Sequence, residues 1–137
     1  MDSTISSVEL QILFCAIALG IVQLVLAVLA SIGARGMGWA LGPRDDAWPA
    51  LGKFGGRLER AYKNFLETFA FFAAAVLLAH ALDKSTPTSV LGAQIYIWAR
   101  LLYIPAYVFA IPFVRTLIWF AGLVGIVMVM AAIWPGM

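Results

Sequence analysis

The sequence predicts an all-α membrane protein, a four-transmembrane-helix bundle, and three observations predict it. Of 137 residues, 64% are hydrophobic and 12% charged, against about 45–50% apolar and about 25% charged in soluble domains. The apolar residues gather into four stretches near the roughly 20 residues that a membrane helix needs. No stretch shows a β pattern, and a spanning segment must satisfy its backbone either as a helix or in a closed barrel. Four crossings use about 80 residues, which leaves short loops, one longer loop and no room for a separate soluble domain. Residues 1–137 therefore read as one integral membrane domain.

The first span covers residues 8–32, interrupted only by Glu9, Gln11, Gln23 and Ser31. Its flank carries Asp2 and Glu9 and no Lys or Arg, so it lacks the positive start of a signal peptide and reads as a retained helix. Small and polar residues at Gly20, Gln23, Ala27, Ala30, Ser31 and Ala34 recur every three or four positions, as at a close helix contact. A long loop, 33–57, follows; its Leu51–Gly56 stretch lacks the Lys-Ser/Thr ending of a phosphate loop and reads as a flexible approach.

The second span, 58–82, is polar for three turns and then apolar, and ends at the breaker cluster Asp83-Lys84-Ser85-Thr86-Pro87. The third, 90–112, contains Arg100 and Pro105, and the fourth, 115–134, ends at Pro135-Gly136 with Gly122 and Gly125 as further contact residues. Arg35, Arg44, Lys53, Arg57, Arg60 and Lys63 lie between spans one and two or at the start of span two, whereas the next loop offers only Lys84. The positive-inside rule then puts the long loop in the cytoplasm and both termini outside. Small size, short loops and the lack of a targeting segment suit a bacterial inner membrane. The lone Cys15, read as a packing residue, excludes an internal disulfide and any cysteine cluster, and with His80 the lone histidine a His/Cys metal site within one chain is not expected. A net charge of +2 is too small to argue for nucleic acid.

Ionisable residues inside spans cost about 2.5–3.5 kcal/mol each on insertion scales, so they call for partners or a water-filled cavity. At 100° per residue, Arg60, Asn64 and Glu67 share one face of span two, with Lys63 to the side. Tyr96, Arg100, Tyr103 and Tyr107 share a face of span three. Glu67 and Arg100 come at comparable depth and are expected to pair. Arg60, Asn64, Tyr103, Tyr107 and Arg115 lie nearer the cytoplasm and outline a polar pocket closed at its floor. Three Arg and a Lys around one Glu suit a small anion with carboxylates and one ammonium group, since guanidinium forks match carboxylates. The surroundings suggest a second substrate arriving from the bilayer. A proton-coupled exporter fits less well, because its deep carboxylate belongs in the first span, where Glu9 sits at the edge.

Arg60-Ala61-Tyr62-Lys63-Asn64-Phe65-Leu66-Glu67 resembles the R-A-x-x-N-x-x-E signature of the MAPEG family, the membrane-associated proteins of eicosanoid and glutathione metabolism. Arg100-Leu101-Leu102-Tyr103-Ile104-Pro105-Ala106-Tyr107 resembles its R-x-x-Y-x-x-x-Y pattern. The resemblance implies a homotrimer with glutathione held between subunits near the cytoplasmic face. It implies Arg35, Arg60, Lys63, Asn64, Glu67, Arg100, Tyr103 and Tyr107 as ligands of that cosubstrate. It further implies Arg115 as the residue that favours the thiolate, with Thr116 donating to the sulfur or bonding back to its own helix. The implied activity is a glutathione-dependent transferase or peroxidase acting on a lipophilic electrophile or hydroperoxide, without a metal. The alternative is a non-catalytic lipid-binding scaffold of the same family. Lys63, in place of an Arg, and Trp119, in place of a Tyr, depart from some members and bear on substrate choice.

Overall fold

The computed structural model describes residues 3–45 and 47–134. Its helices are α1 (Ser3–Arg35), α2 (Met37–Leu41), α3 (Lys53–Ala81), α4 (Pro87–Val108) and α5 (Pro112–Ile133), with no strand among the described residues. By length and composition α1, α3 and α5 can each cross a membrane. The sequence reading expected a fourth span at α4, which is as long as α5. It is less apolar, because Gln94, Arg100 and three tyrosines replace aliphatic residues. The interior takes up most of these polar groups: Tyr96, Arg100 and Tyr103 are all buried.

α3 and α4 pack against each other in the middle; α1 contacts both from one side and α5 contacts both from the other. The core sits toward one end, where Leu13, Ala16, Phe72, Val76, Ala93, Tyr96, Ile126 and Val129 are buried together. There the rings of Phe72 and Tyr96 stack at 4.0 Å. Close approach depends on small residues. A Cβ on Gly20 would lie 2.7 Å from the Phe65 ring, and one on Gly92 would lie 2.6 Å from the Gly125 carbonyl oxygen. Of the small-residue stripe expected on α1, Gln23, Ala27 and Ser31 are buried, while Ala34 at its end is exposed; Gly122 and Gly125 on α5 are buried contact residues as expected. Cys15, read as a packing residue, is instead exposed on α1.

The helix ends differ from the sequence reading for local reasons. α3 starts at Lys53 rather than 58, because the glycines expected to be flexible pack as helix, Gly56 buried and Gly55 close to Ala30. The long loop contains α2, set off from α1 by Gly36 at φ 83°. Pro105 lies inside α4 without ending it, and the helix stops at Val108, short of 112. The Ala110 N–H donates to Tyr107 O (3.1 Å) and the Ile111 N–H to Ala106 O (3.0 Å), a Schellman closure with Ala110 in the left-handed region at φ 57°. Pro112, whose fixed φ suits a first helical position, then starts α5 three residues before Arg115.

At the opposite end a capping box, Thr86 with Ser89, opens α4. Glu9, expected at the edge of the first span, is fully buried there. It accepts hydrogen bonds from the hydroxyls of Ser85 (2.5 Å) and Ser89. A carboxylate near a helix N-terminus also meets the positive end of the helix dipole, so Glu9 pins α1 to the start of α4.

Candidate functional site

Three helices meet where α4 ends and α5 begins, and their 3.6-residue periodicity brings polar side chains to a common wall. An open cleft of about 310 Å³ is lined by Asn64 from α3, Tyr103 and Tyr107 from α4, and Arg115, Thr116 and Trp119 from α5. Tyr107 is the hub. Its hydroxyl accepts from Arg60 Nε at 3.1 Å, its ring packs 5.6 Å from that of Tyr103, and the Arg115 guanidinium lies 5.0 Å from its centroid. Stacking against an aromatic face leaves the edge donors of a guanidinium available for an anion.

Arg100 stands behind this wall. It is 2% exposed, lies 5.4 Å from the Tyr96 centroid and 5.5 Å from that of Tyr103, and abuts Gly122, which leaves space for it. The expected pair with Glu67 does not form. Arg100 Nη1 donates to Asn64 Oδ1 at 3.1 Å, and Asn64 Nδ2 donates to Glu67 Oε2 at 3.4 Å. Asn64 lies one turn before Glu67 on the same face, so its amide intercepts the guanidinium and the carboxylate stays on the exposed side of α3. Arg100 Nε and Nη2 have no hydrogen-bond partner among the described residues.

Two of the expected ligands lie elsewhere in the chain. Arg35 Nε donates to Pro49 O at 3.0 Å and its guanidinium lies 4.9 Å from the Trp39 ring centroid. Lys63 pairs with Glu59 at 3.1 Å and lines a separate groove with Leu24, Trp39 and Arg44 between α1, α2 and α3. The Thr116 hydroxyl donates to Pro112 O at 3.1 Å, the back-bonded alternative. No cluster of His, Cys, Asp or Glu that could hold a metal occurs among the described residues. Trp119, read from the sequence as bearing on substrate choice and not as a glutathione ligand, stands one turn after Arg115 on the same face and completes the cleft wall.

Beyond Trp119 the character changes. An apolar groove lined by Glu67, Thr68, Phe71, Trp119, Leu123 and Met130 leads along α3 and α5 to a second, bounded by Phe71, Leu78, Val127, Met130 and Trp134. The polar cleft and the first apolar groove share Trp119, and the two grooves share Phe71, Val127 and Met130, so one trough runs along the α3–α5 face. No curated protein matches the chain. The family model of the MAPEG family matches residues 12–134.

Proposed function

The chain belongs to the MAPEG family, and from that premise we propose that it is a glutathione-dependent membrane transferase or peroxidase. The observation that carries the proposal is the cleft itself: a guanidinium, two phenols and a carboxamide converge from three helices at the head of an apolar trough. In this reading α1, α3, α4 and α5 are the four spans of each subunit of a homotrimer. The long loop is cytoplasmic and the termini lie outside, on the distribution of Lys and Arg.

Glutathione would rest against Arg60, Asn64, Glu67, Tyr103 and Tyr107, with Arg100 acting through Asn64 and Glu67 taking the ammonium group. Arg35 and Lys63 lie off the cleft within their own chain, and would serve the tripeptide of a neighbouring subunit. Arg115 carries the chemistry. A free thiol ionises near pH 8.5, and a cation beside it in a low-dielectric site favours the nucleophilic thiolate. The sulfur then attacks an electrophilic carbon of a lipophilic substrate, forming a thioether as a leaving group departs with the bonding electron pair or, in an epoxide, as the carbon–oxygen bond opens and the oxygen takes a proton from water. With a hydroperoxide it takes one oxygen, releasing an alcohol and leaving a sulfenic acid that a second glutathione reduces. The Thr116 proton is already committed to Pro112 O, so its contribution is to the wall.

Calorimetry of glutathione binding to detergent-purified protein, with ultraviolet thiolate absorbance in the same samples, tests the reading. Binding with a thiolate signal that disappears in Arg115→Ala is expected. No binding at millimolar glutathione would overturn it. The trough favours a second reading, a lipid-binding scaffold, in which lipid co-purifies and glutathione neither binds nor turns over.

A further inference from the structure

Arg57 takes no part in the cleft, yet it is half-buried and reaches across the sequence to the segment that carries the cleft. Its Nη1 donates to Val108 O at 2.8 Å, a bond spanning 51 residues. Val108 is the last residue of α4, and carbonyls in a final turn lack intrahelical donors. The Schellman closure satisfies Ala106 and Tyr107; the Val108 oxygen is left to Arg57. A cation there also meets the negative end of the helix dipole.

One turn further along α3, Arg60 donates to the Tyr107 hydroxyl. α3 thus grips the end of α4 twice, once by its backbone and once by a ring. Only Phe109, Ala110 and Ile111 separate α4 from α5, with Ala110 in a conformation that alanine rarely adopts. Arg115 follows in the first turn of α5 and packs on Tyr107. A turn that short and that strained passes any movement of Val108 to Arg115.

We infer that Arg57 is a positioning residue: by holding the last turn of α4 it sets where Tyr107 and Arg115 stand in the cleft. The inference rests on the proposed function in taking Arg115 as the group beside the thiol. Three full-length, detergent-purified variants test it: Arg57→Met, Arg57→Lys, and Lys53→Met, which removes an exposed charge from the same end of α3. Two readouts apply, hydrogen exchange over residues 109–115 and the pH titration of the bound glutathione thiolate.

Arg57→Met is expected to speed exchange over 109–115 by tenfold or more relative to 32–36 at the end of α1. It is expected to raise the apparent thiol pKa by about one unit, close to a tenfold loss of thiolate at a pH below it. The shift persists at about 1 M salt, where the Debye length is about 3 Å and distant charges are screened. Lys53→Met leaves both readouts unchanged. Arg57→Lys keeps the charge and one donor but not the planar fork; it gives an intermediate shift and serves if the methionine variant does not survive purification. Unchanged exchange in Arg57→Met overturns the anchor. A thiol shift reproduced by Lys53→Met, or erased by salt, overturns positioning in favour of charge alone. A wild-type protein without a thiolate signal defeats the proposed function, and the exchange measurement still decides the anchor.

Discussion

Replacing Gly92 with alanine tests how closely α4 and α5 are held. The new Cβ would lie 2.6 Å from the Gly125 carbonyl oxygen and 2.8 Å from the Met128 Cβ. Neither obstruction is the end of a flexible side chain, so no rotamer change relieves it. Reaching ordinary contact at 3.4 Å forces the helices apart by about 0.8 Å, and a gap of that size forfeits about a quarter to a half of the attraction at each affected contact. Overpacking costs about 1–3 kcal/mol; a backbone obstruction belongs at the upper end. Alanine recovers about 1 kcal/mol of helix propensity. The net loss is about 2 kcal/mol, read from dodecyl sulfate titration of the micelle-bound protein by circular dichroism. Gly122→Ala is the internal comparison. There the new Cβ meets Arg100 Nη2 at 2.6 Å, a side-chain end that can move, but only by leaving Asn64. Its expected stability loss is about 1 kcal/mol, a charged hydrogen bond of about 1.5–3 kcal/mol set against the same propensity gain, with glutathione binding weakened as well. A Gly92→Ala protein as stable as the wild type would refute the close crossing.

Ala110→Gly should stabilise by about 0.5–1 kcal/mol, because glycine adopts the left-handed region freely; thermal unfolding checks it. Asp83 ends α3 with the same closure at φ 59°, and aspartate tolerates that region better than alanine, so Asp83→Gly should gain less. Glu9→Gln, which sets an amide against the Ser85 and Ser89 hydroxyls, should cost about 1–3 kcal/mol in the same titration while leaving the glutathione thiol titration in place at the opposite end. Thr116→Val should leave that thiol titration unaltered, since the hydroxyl donates to Pro112 O; a pKa rise comparable to that of Arg115→Ala would show that the hydroxyl serves the sulfur.

The helices were legible because run length and apolarity are summed over many residues, and single positions hardly change the sum. The polar faces that meet at the cleft were legible for a related reason: Arg60, Asn64 and Glu67 repeat at helical spacing on α3, and Tyr96, Arg100, Tyr103 and Tyr107 on α4, so one polar face for each helix follows from the periodicity. Periodicity gives direction and not reach, which is why Glu67 and Arg100 were paired although Asn64 stands between them. Nor does a positive charge announce which side of α3 it serves: Lys63 pairs with Glu59 and lines the groove toward α1 and α2, away from the cleft of its own chain. Helix ends turned on hydrogen bonds a few residues wide, at Ala110 and Ile111, beneath the resolution of an apolarity pattern. Glu9 and Arg57 were missed because their partners lie 76, 80 and 51 residues away.

The line Arg100–Asn64–Glu67 leaves one chain electrostatically incomplete. At its inner end a buried guanidinium has two donors without a partner among the described residues. At its outer end Glu67, the middle residue of α3, is exposed. A carboxylate at that depth facing lipid costs about 2.5–3.5 kcal/mol on insertion scales. In the proposed function the ammonium of glutathione, or a neighbouring subunit, covers Glu67, so binding and assembly remove the same cost and favour the same state. Glutathione at 100 times its Kd then adds about 2.7 kcal/mol to the stability of that state. The expected result is an oligomer that resists dissociation by detergent more strongly with glutathione than without, read by cross-linking the species that remain after the detergent challenge. Glu67→Gln, which keeps the shape and removes the charge, should weaken the glutathione effect and strengthen the ligand-free oligomer. Equal dissociation with and without saturating glutathione would separate binding from assembly and refute the shared role of Glu67.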